Sequence, residues 1–451
     1  MFGKILIANR GEIAVRIIRA CRNMGIQSVA VYSREDAGSM HVQMADQRVC
    51  IGEGSAKNSY LNMERIITAA KNVGADAIHP GFGFLSENSG FVRRCQENGI
   101  VFIGPEADVI DKMGNKSQAR KTMMDAGVPV VPGTREPVYD AQTGLRLAAE
   151  IGYPVMIKAS SGGGGKGMRV ARNEDEFEFQ FNMAQRESAN AFGDDTMYME
   201  RYVENPRHVE IQIMADQYGN VAALGERDCS VQRNHQKLIE ESPSPAVSGE
   251  MRERMNRYAV MAAKTVNYTN AGTIEFIVDP SGEFYFMEMN TRIQVEHGVT
   301  EMVTGTDLII EQIRVAMGEP LSFSQEDIAI RGHAIECRIN AEIPEKNFMP
   351  SPGRVAHLHL PAGNGVRVDT GLYTGYQIPS EYDSMIAKVI VHAPDRMAAI
   401  RKMRTALNEM IVSGVETNLD FQYQIMHHPV FVEGRADTGF IEQFMHIREE
   451  H

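Results

Sequence analysis

The first hundred residues alternate short apolar runs with amphipathic stretches, and this alternation constrains the fold of the 451-residue chain more than any other feature. Lys4–Asn9 is an apolar run of buried-strand length, and Glu12–Met24 carries apolar residues at helical spacing until Gly25. Strands that alternate with helices are typical of a parallel, doubly wound sheet, whose ligands bind beyond the carboxyl ends of the strands. The pattern continues through predicted strands at Ser28–Tyr32, Arg48–Ile51, Ala75–Ile78 and Ile100–Ile103 and a predicted helix at Leu61–Asn72.

The pattern changes twice along the chain, which predicts three domains of α/β and α+β type. We expect a Rossmann-like, doubly wound N-terminal domain at 1–112 and a central domain at 113–330 with a mobile lid at about 131–203. A strand-rich α+β domain is predicted at 331–446. Its expected elements are strands at His333–Asn340, Gly353–Leu360, Gly365–Asp369 and Met385–His392, followed by a helix at Arg396–Met410.

Composition excludes several classes of protein. Hydrophobic residues make up 43% and charged residues 23%, as in globular proteins, and the net charge of −13 argues against a nucleic-acid binder. No apolar run approaches the ~18 residues that a membrane-spanning helix needs, and the N-terminus lacks the pattern of a signal peptide. The five cysteines form no CxxC pair, which favours reduced thiols in the cytoplasm and no zinc site.

A glycine-rich run at 160–167, Ser-Ser-Gly-Gly-Gly-Gly-Lys-Gly, is the first candidate for chemistry. Glycines let backbone N–H groups approach phosphate oxygens, and a lysine adds positive charge. The run is not a Walker A loop, because Gly167 stands where Ser or Thr is needed, and the predicted strands Tyr153–Ala159 and Met168–Arg172 make it a hairpin loop. A flexible hairpin tip would also fit. Lys158, within the entering strand, favours a flap over a nucleotide, because a buried lysine needs an anionic partner.

Polar residues at strict two-residue spacing form the second candidate. In an extended chain alternate side chains share one side, so such a run would line one face over roughly 26 Å at ~3.3 Å per residue. A hairpin predicted at Ala271–Asn290 would bring Glu275 to the side of Glu288 and Asn290. Two carboxylates and an amide oxygen suit Mg²⁺. The alternating residues are Glu288, Asn290, Arg292, Gln294 and Glu296.

A third segment, Glu226–Lys237, is dense in polar and basic residues and follows a predicted apolar strand at Val221–Leu224. By itself this segment would also fit an ordinary solvated surface. Single histidines such as His208 are likewise more often structural than functional.

Taken together, these motifs resemble biotin carboxylase, an ATP-grasp family. The resemblance extends from the first strand into the third predicted domain and keeps the family's order. The matching blocks are KILIANRGEIAVR at 4–16, HPGFGFLSEN at 79–88, SSGGGGKGMR at 160–169, ERDCSVQRNHQK at 226–237, EMNTRIQVEH at 288–297 and GHAIECRINAE at 332–342.

The resemblance implies a set of site residues. Glu296 would be the base, and Arg338 would act at biotin, with Lys237 and Arg292 as further catalytic residues. Bicarbonate would contact Lys237, Arg292, Gln294 and Val295, and biotin would contact Arg338. Mg²⁺ or Mn²⁺ would be held by Glu275, Glu288 and Asn290. ATP would be bound by Lys116, Lys158, Gly163, Gly164, Gly165, Glu200, Arg201, Tyr202, Val203, His208, Gln232 and His235.

The implied activity is the ATP- and bicarbonate-dependent carboxylation of biotin through carboxyphosphate. The chain shows no Ala-Met-Lys-Met motif, so biotin is expected on a separate carrier protein, with separate carboxyltransferase subunits and a homodimeric enzyme. Acetyl-CoA carboxylase is the expected assembly, with a pyruvate or other acyl carboxylase as the alternative. A carboxylate–amine ligase, which would use an amine instead of biotin, and a nucleotide-binding regulatory module remain the rival functions. Glu296 and Arg338 argue against the regulatory module, since a pure binder needs neither a base nor a group that stabilises an enolate.

Two positions depart from the family pattern. Phe82 stands where tyrosine is common, which puts a hydroxyl contact near biotin in doubt. Gly298 stands where proline commonly follows Glu-His, and we expect a looser turn behind Glu296.

Overall fold

The computed structural model describes residues 1–159 and 167–449, and the side chains of residue 192 and of 446–449 are not described. The chain forms two compact units. The larger unit combines Met1–Asp111, His208–Ile274 and the chain from Asn290 onward; the smaller unit combines Lys112–Arg207 with Glu275–Met289.

The N-terminal part of the larger unit is the predicted parallel sheet, with strand order β3-β2-β1-β4-β5. Ile5 and Ile7 pack into one apolar cluster and Leu6 into another, so apolar residues cover both faces of the sheet. Its elements are β1 Lys4–Ile7, α1 Gly11–Asn23, β2 Gln27–Ser33, α2 Met40–Met44, β3 Gln47–Gly52, α3 Met63–Val73, β4 Ala77–His79, α4 Ser89–Glu97, β5 Val101–Phe102 and α5 Ala107–Gly114.

The smaller unit is built on an antiparallel sheet of order β7-β6-β8 that packs against two helices. Lys158 pairs with Met168 across the predicted hairpin, whose loop at 160–166 lies outside the described residues. Its elements are α6 Lys116–Asp125, α7 Ala141–Ile151, β6 Val155–Ala159, β7 Met168–Ala171, α8 Glu174–Phe192 and β8 Met197–Arg201.

The remainder of the larger unit is centred on an antiparallel sheet of order β9-β10-β11-β14-β21-β19. The middle of the chain provides β9 Arg207–Ala215, β10 Val221–Arg233, β11 Gln236–Ser242, α9 Gly249–Thr265, β12 Asn270–Val278, β13 Phe284–Asn290, α10 His297–Thr304 and α11 Leu308–Ala316. The neighbouring strands β12 and β13 are divided between the two units.

The C-terminal part adds strands on the edge of this sheet and helices that pack on one apolar cluster. Its strands are β14 His333–Asn340, β15 Glu342–Ile343, β16 Met349–Pro350, β17 Gly353–Arg354, β18 His357–His359, β19 Val366–Thr370, β20 Gln377–Ile378, β21 Met385–Ala393 and β22 Ile411–Ser413. Its helices are α12 Arg396–Glu409, α13 Leu419–His427, α14 Pro429–Val432 and α15 Phe440–Glu449. Short 3-10 turns lie at Arg34–Asp36, Ala56–Asn58, Gln325–Asp327 and Pro344–Lys346.

The prediction of an extended polar face from 288 to 296 is wrong beyond Asn290. β13 ends there, residues 291–296 follow an irregular path, and α10 begins at His297. The backbone of this segment bonds to side chains instead of a neighbouring strand: the Thr291 N–H donates to Glu87 and the Val295 carbonyl accepts from Lys388.

Two other strands differ in extent from the prediction. The strand predicted at Gly353–Leu360 is divided into β17 and β18, and the strand predicted at Val221–Leu224 continues to Arg233 as β10. Among the helices that the structure describes, none combines the length and apolar character needed to cross a bilayer.

Candidate active site

The central group of the larger unit is the carboxylate of Glu296, which stands between two cations. Glu296 precedes α10, and its side chain makes no capping hydrogen bond to that helix. Lys237 Nζ donates to Oε1 at 2.7 Å, and an Arg338 N–H donates to Oε2 at 3.0 Å. Lys237 also donates to Glu210 Oε2 at 2.6 Å. Residues from β9, β11, β14 and the turn before α10 thus meet at one carboxylate.

This environment keeps Glu296 ionised although it is only 2% exposed. Burial by itself would raise the pKa of Glu296, but the charges of Lys237, Arg338 and Arg227 outweigh burial and hold that pKa well below its ordinary value. A carboxylate in this state can accept a proton. An anion that drew Lys237 or Arg338 away from Glu296 would make it a stronger base.

Arg338 links Glu296 to a second buried carboxylate. Its Nε donates to Glu240 Oε1 at 2.6 Å. Glu240 is fully buried on β11 and lies opposite Glu336 of β14 in the strand register. Burial raises the pKa of Glu240 to about 7, although the charge of Arg338 opposes that rise.

Glu87 fixes the irregular segment that follows β13. Arg292 Nε donates to Glu87 Oε2 at 2.9 Å, and the Thr291 N–H donates to Glu87 Oε1 at 3.0 Å. Arg292 also donates to Asn290 Oδ1 at 3.0 Å. The Arg292 guanidinium is therefore held at two of its edges.

Gln294 and Val295 are each anchored by a buried cation. An Arg227 N–H donates to Gln294 Oε1 at 2.8 Å. Lys388 Nζ donates to the Val295 carbonyl at 2.6 Å and lies 3.3 Å from Glu12 Oε1. The residues predicted to bind bicarbonate or biotin all belong to the larger unit: Lys237, Arg292, Gln294, Val295 and Arg338.

The smaller unit has a separate cluster of charged side chains around Glu200. Lys158 Nζ donates to Glu200 Oε2, and Arg120 Nε lies 3.2 Å from Glu200 Oε1. The predicted anionic partner of Lys158 is therefore Glu200 in this structure. A phosphate group could take the place of a carboxylate at these cations.

The predicted metal ligands lie on one hairpin. Glu275 is buried on β12, and Glu288 is partly exposed on the neighbouring strand β13, with its Oε2 3.4 Å from Lys116 Nζ. Asn290 is the last residue of β13. Carboxylate and amide oxygens are the donors that Mg²⁺ prefers, so the residues present fit that ion.

The other predicted ATP residues occupy varied positions. In the smaller unit, Arg201 ends β8 and donates to the Tyr285 hydroxyl at 2.6 Å, and the Tyr202 N–H donates to the Pro154 carbonyl. Val203 follows directly, whereas Gly163, Gly164 and Gly165 lie outside the described residues. In the larger unit lie His208, which is buried on β9, Gln232, which is buried on β10, and His235, which is exposed in the β10–β11 turn with φ of 63°.

The structure shows what surrounds the two positions that depart from the family pattern. The Phe82 side chain packs against the apolar cluster beneath α1. A Cβ at Gly298 would lie 2.4 Å from Ile390 Cδ1 and 3.2 Å from Glu336 Oε2, so Ile390 fills the space beside this glycine.

Several residues at these clusters escaped the sequence-based prediction. Glu87 and Arg227 lie inside motifs that were noticed, but nothing in their spacing shows what they contact. Glu210, Glu240 and Arg120 carry no sequence signal, since their partners are distant along the chain.

Comparison with protein families accounts for most of the chain. Residues 1–110 match the biotin carboxylase N-terminal domain, residues 115–324 match the ATP-binding domain of the carbamoyl-phosphate synthase L chain, and residues 336–443 match the biotin carboxylase C-terminal domain.

Individual relatives agree with this result. Biotin carboxylase 1 of Bacillus subtilis is 57% identical over 445 residues, which cover 98% of this chain and 99% of the relative. A pyruvate carboxylase subunit of Methanothermobacter thermautotrophicus is 53% identical, over 98% of this chain and 90% of that one. The crystal structure of the Hydrogenobacter thermophilus 2-oxoglutarate carboxylase biotin carboxylase domain dimer, in complex with MgADP, ADP and bicarbonate, superposes with a TM-score of 0.93 at 50% identity, covering 99% of this chain and 98% of that one. The chain therefore belongs to the biotin carboxylase family of ATP-grasp ligases.

Proposed function

We propose that this chain transfers the carboxyl group of bicarbonate to biotin on a separate carrier protein, with cleavage of ATP. The observation that carries the proposal is the ionised carboxylate of Glu296 between Lys237 and Arg338. A module that only binds nucleotide has no use for a buried base beside two cations.

Glu296 is the proposed base in the first half of the reaction. Lys237, Arg292 and Gln294 bind bicarbonate, and Glu296 takes its proton while bicarbonate attacks the γ-phosphorus of ATP, giving carboxyphosphate and ADP. Bicarbonate shares the charge of Lys237, which weakens the hold of that ammonium on Glu296 and strengthens the base. Lys237 Nζ lies 2.7 Å from Glu296 Oε1, so a bicarbonate bound by this ammonium would lie beside the base.

Arg338 is the proposed biotin residue in the second half. Carboxyphosphate yields CO₂ and phosphate, the phosphate removes the ureido N–H proton of biotin, and the resulting enolate attacks CO₂. Arg338 stays protonated at any working pH, since Glu240 and Glu296 hold its pKa above the ordinary arginine value despite burial. It therefore supplies a permanent positive charge to the enolate oxygen.

Nucleotide binding is assigned to residues of both units. Those of the smaller unit are Lys116, Lys158, Gly163, Gly164, Gly165, Glu200, Arg201, Tyr202 and Val203, and those of the larger unit are His208, Gln232 and His235. Glu275, Glu288 and Asn290 are the proposed Mg²⁺ or Mn²⁺ ligands. The metal would neutralise charge on the phosphates during transfer. The proposed domain limits remain 1–112, 113–330 and 331–446, with the lid at about 131–203.

We further propose that the assembly is a cytoplasmic acetyl-CoA carboxylase with a homodimer of this chain, a biotin carboxyl carrier protein and carboxyltransferase subunits. The match to a relative named simply as biotin carboxylase supports this assembly, and the pyruvate carboxylase relative makes pyruvate the alternative acceptor. Purification of the chain with its partners from its source cell, followed by mass spectrometry of the biotinylated protein and the transferase, would distinguish the two.

Release of ADP with and without bicarbonate tests the central proposal. We expect ATP cleavage that requires bicarbonate and Mg²⁺ and is stimulated by free biotin. Turnover that is indifferent to bicarbonate, or that is driven by an amine, would instead support a carboxylate–amine ligase. Nucleotide binding without turnover would support the regulatory module.

A further inference from the structure

We propose that Arg227 is a positioning residue for bicarbonate, holding Gln294 and Glu210 in the orientations that the reaction needs. Arg227 lies in the polar segment 226–237 and is not among the residues proposed to touch ATP, bicarbonate or biotin. The inference rests on the proposed function, since it concerns the same bicarbonate site.

Arg227 is fully buried on β10, and each N–H of its guanidinium has an acceptor among the described residues. Its Nε donates to Glu210 Oε1 at 2.6 Å, and one terminal nitrogen donates to Gln294 Oε1 at 2.8 Å. The remaining acceptors are Gln212 Oε1 at 2.7 Å, Thr300 Oγ1 at 3.0 Å and Thr273 Oγ1 at 3.1 Å. One planar group thus joins β9, β12, α10 and the irregular segment after β13.

The chemistry of the guanidinium fixes which way the Gln294 amide points. Arginine has only donors, so the atom of Gln294 that faces it must be the oxygen. The Gln294 NH₂ group is then directed away from Arg227. The side of Gln294 that faces away from Arg227 thus carries donors, and donors suit an anion such as bicarbonate and disfavour a cationic ligand.

The same guanidinium holds the chain of charges that ends at the base. Glu210 accepts from Arg227 through Oε1 and from Lys237 through Oε2, and Lys237 donates to Glu296. Burial opposes the charge of Arg227, yet Glu210 and Glu296 keep its pKa above the ordinary value. Arg227 is therefore linked directly to Gln294 and, through Glu210 and Lys237, to Glu296. It is not itself proposed to touch the substrate.

Lysine cannot replace this geometry. It is a single point charge without a rigid fork, so a lysine that pairs with Glu210 leaves Gln294 without its anchor. Misplacement of a positioning group by about 1 Å can cost ~10²-fold in rate.

The test is Arg227→Lys, with Thr300→Val as its matched control. Thr300→Val removes one acceptor of the same guanidinium but leaves its bonds to Glu210 and Gln294. The rate of ADP release is measured as a function of bicarbonate concentration and, separately, of ATP concentration.

For Arg227→Lys we expect kcat/KM for bicarbonate to fall by ~10²-fold with an unchanged KM for ATP. Thr300→Val should lower the melting temperature and leave the bicarbonate KM at the wild-type value. A wild-type bicarbonate kcat/KM in Arg227→Lys, or equal losses for bicarbonate in both variants, would overturn the inference.

A second comparison applies if Arg227→Lys does not fold. Glu210→Gln removes the buried counter-charge, so the double variant Glu210→Gln/Arg227→Gln has no unpaired charge there. We expect the double variant to have a lower bicarbonate kcat/KM than Glu210→Gln alone, because Gln294 has lost its anchor. Equal values would refute the positioning role. Wild-type protein without bicarbonate-dependent ADP release would refute the proposed function itself.

Discussion

Replacement of Arg338 by glutamine should separate the two halves of the reaction. In the folded chain the Arg338 guanidinium donates to Glu240 Oε1 at 2.6 Å and to Glu296 Oε2 at 3.0 Å, and its side chain is 15% exposed. The substitution removes the only permanent charge assigned to biotin and leaves the phosphoryl-transfer residues in place.

The expected loss of carboxybiotin formation in Arg338→Gln can be bounded from these distances. Opposite unit charges 3.0 Å apart interact by about 5.5 kcal/mol at an effective dielectric constant of about 20. Solvation of the released groups reduces this figure, and single aimed donors are typically worth ~10²–10³ in rate, or about 2.7–4 kcal/mol. Carboxybiotin formation should therefore fall by ~10²–10³-fold.

ATP cleavage should persist in the same variant. Without Arg338 the pKa of Glu296 rises toward its ordinary value, but Lys237 remains 2.7 Å away and keeps the carboxylate ionised at neutral pH. Glu240 also loses its counter-charge, so its pKa rises above the present value of about 7 and it becomes neutral instead of repelling Glu296.

One assay measures both outcomes: ADP release and carboxybiotin formed from labelled bicarbonate, at about pH 8, above the pKa of Glu240 in the wild-type chain. Arg396→Gln is the matched control, since Arg396 makes a comparable pair with Glu241, the neighbour of Glu240 on β11, at 2.7 and 3.0 Å. The control should lose stability without uncoupling. Parallel loss of both activities in Arg338→Gln would place this residue in phosphoryl transfer, and no loss would show that it has no catalytic role.

Three further predictions concern single carboxylates. Glu296→Gln should lower bicarbonate-dependent ADP release by ~10²–10⁴-fold while nucleotide titration shows retained ATP binding; near-wild-type turnover would make Glu296 structural. Glu275→Gln and Glu288→Gln should each raise the Mg²⁺ concentration needed for half-maximal turnover, because each removes a negative ligand, and unchanged Mg²⁺ dependence in both would contradict the metal assignment. Glu240→Gln should flatten the pH dependence of the free energy of unfolding. A pKa raised from 4.5 to about 7 in the folded state gives stability that is present below pH 4.5 and is lost as the pH rises through 7. Denaturant titrations at several pH values measure this free energy, and an equal dependence on pH in wild type and variant would refute the assignment.

Local pattern was sufficient for much of the fold. Apolar runs at Lys4–Asn9 and Ala75–Ile78 predicted two strands, which the structure has at Lys4–Ile7 and Ala77–His79. Such runs are informative because burial on both faces of a parallel sheet leaves a continuous apolar signature. Helical spacing likewise predicted α1. The hairpin around the glycine run, which lies in an antiparallel sheet, was predicted from the strand patterns on both sides of the run. The motif resemblance named Glu296, Lys237 and Arg338 as partners in one site, which no periodicity could have done.

The two-residue alternation of polar side chains gave a wrong prediction where tertiary contacts replaced strand pairing. The alternation from Glu288 to Glu296 predicts an extended chain, but β13 ends at Asn290. The segment that follows bonds to the side chains of Glu87 and Lys388. Both partners are distant in sequence, so the local spacing carries no trace of them.

The chemistry of the site was decided only by the folded chain. Lys237 lies 59 residues and Arg338 42 residues from Glu296, and strand register within the sheet brings them to one carboxylate. The ionisation of Glu296 depends on how burial and these cations balance, and the role of Arg227 depends on acceptors from four separate elements. Sequence determined which groups are available; their charge states and orientations follow from distances that exist only after folding.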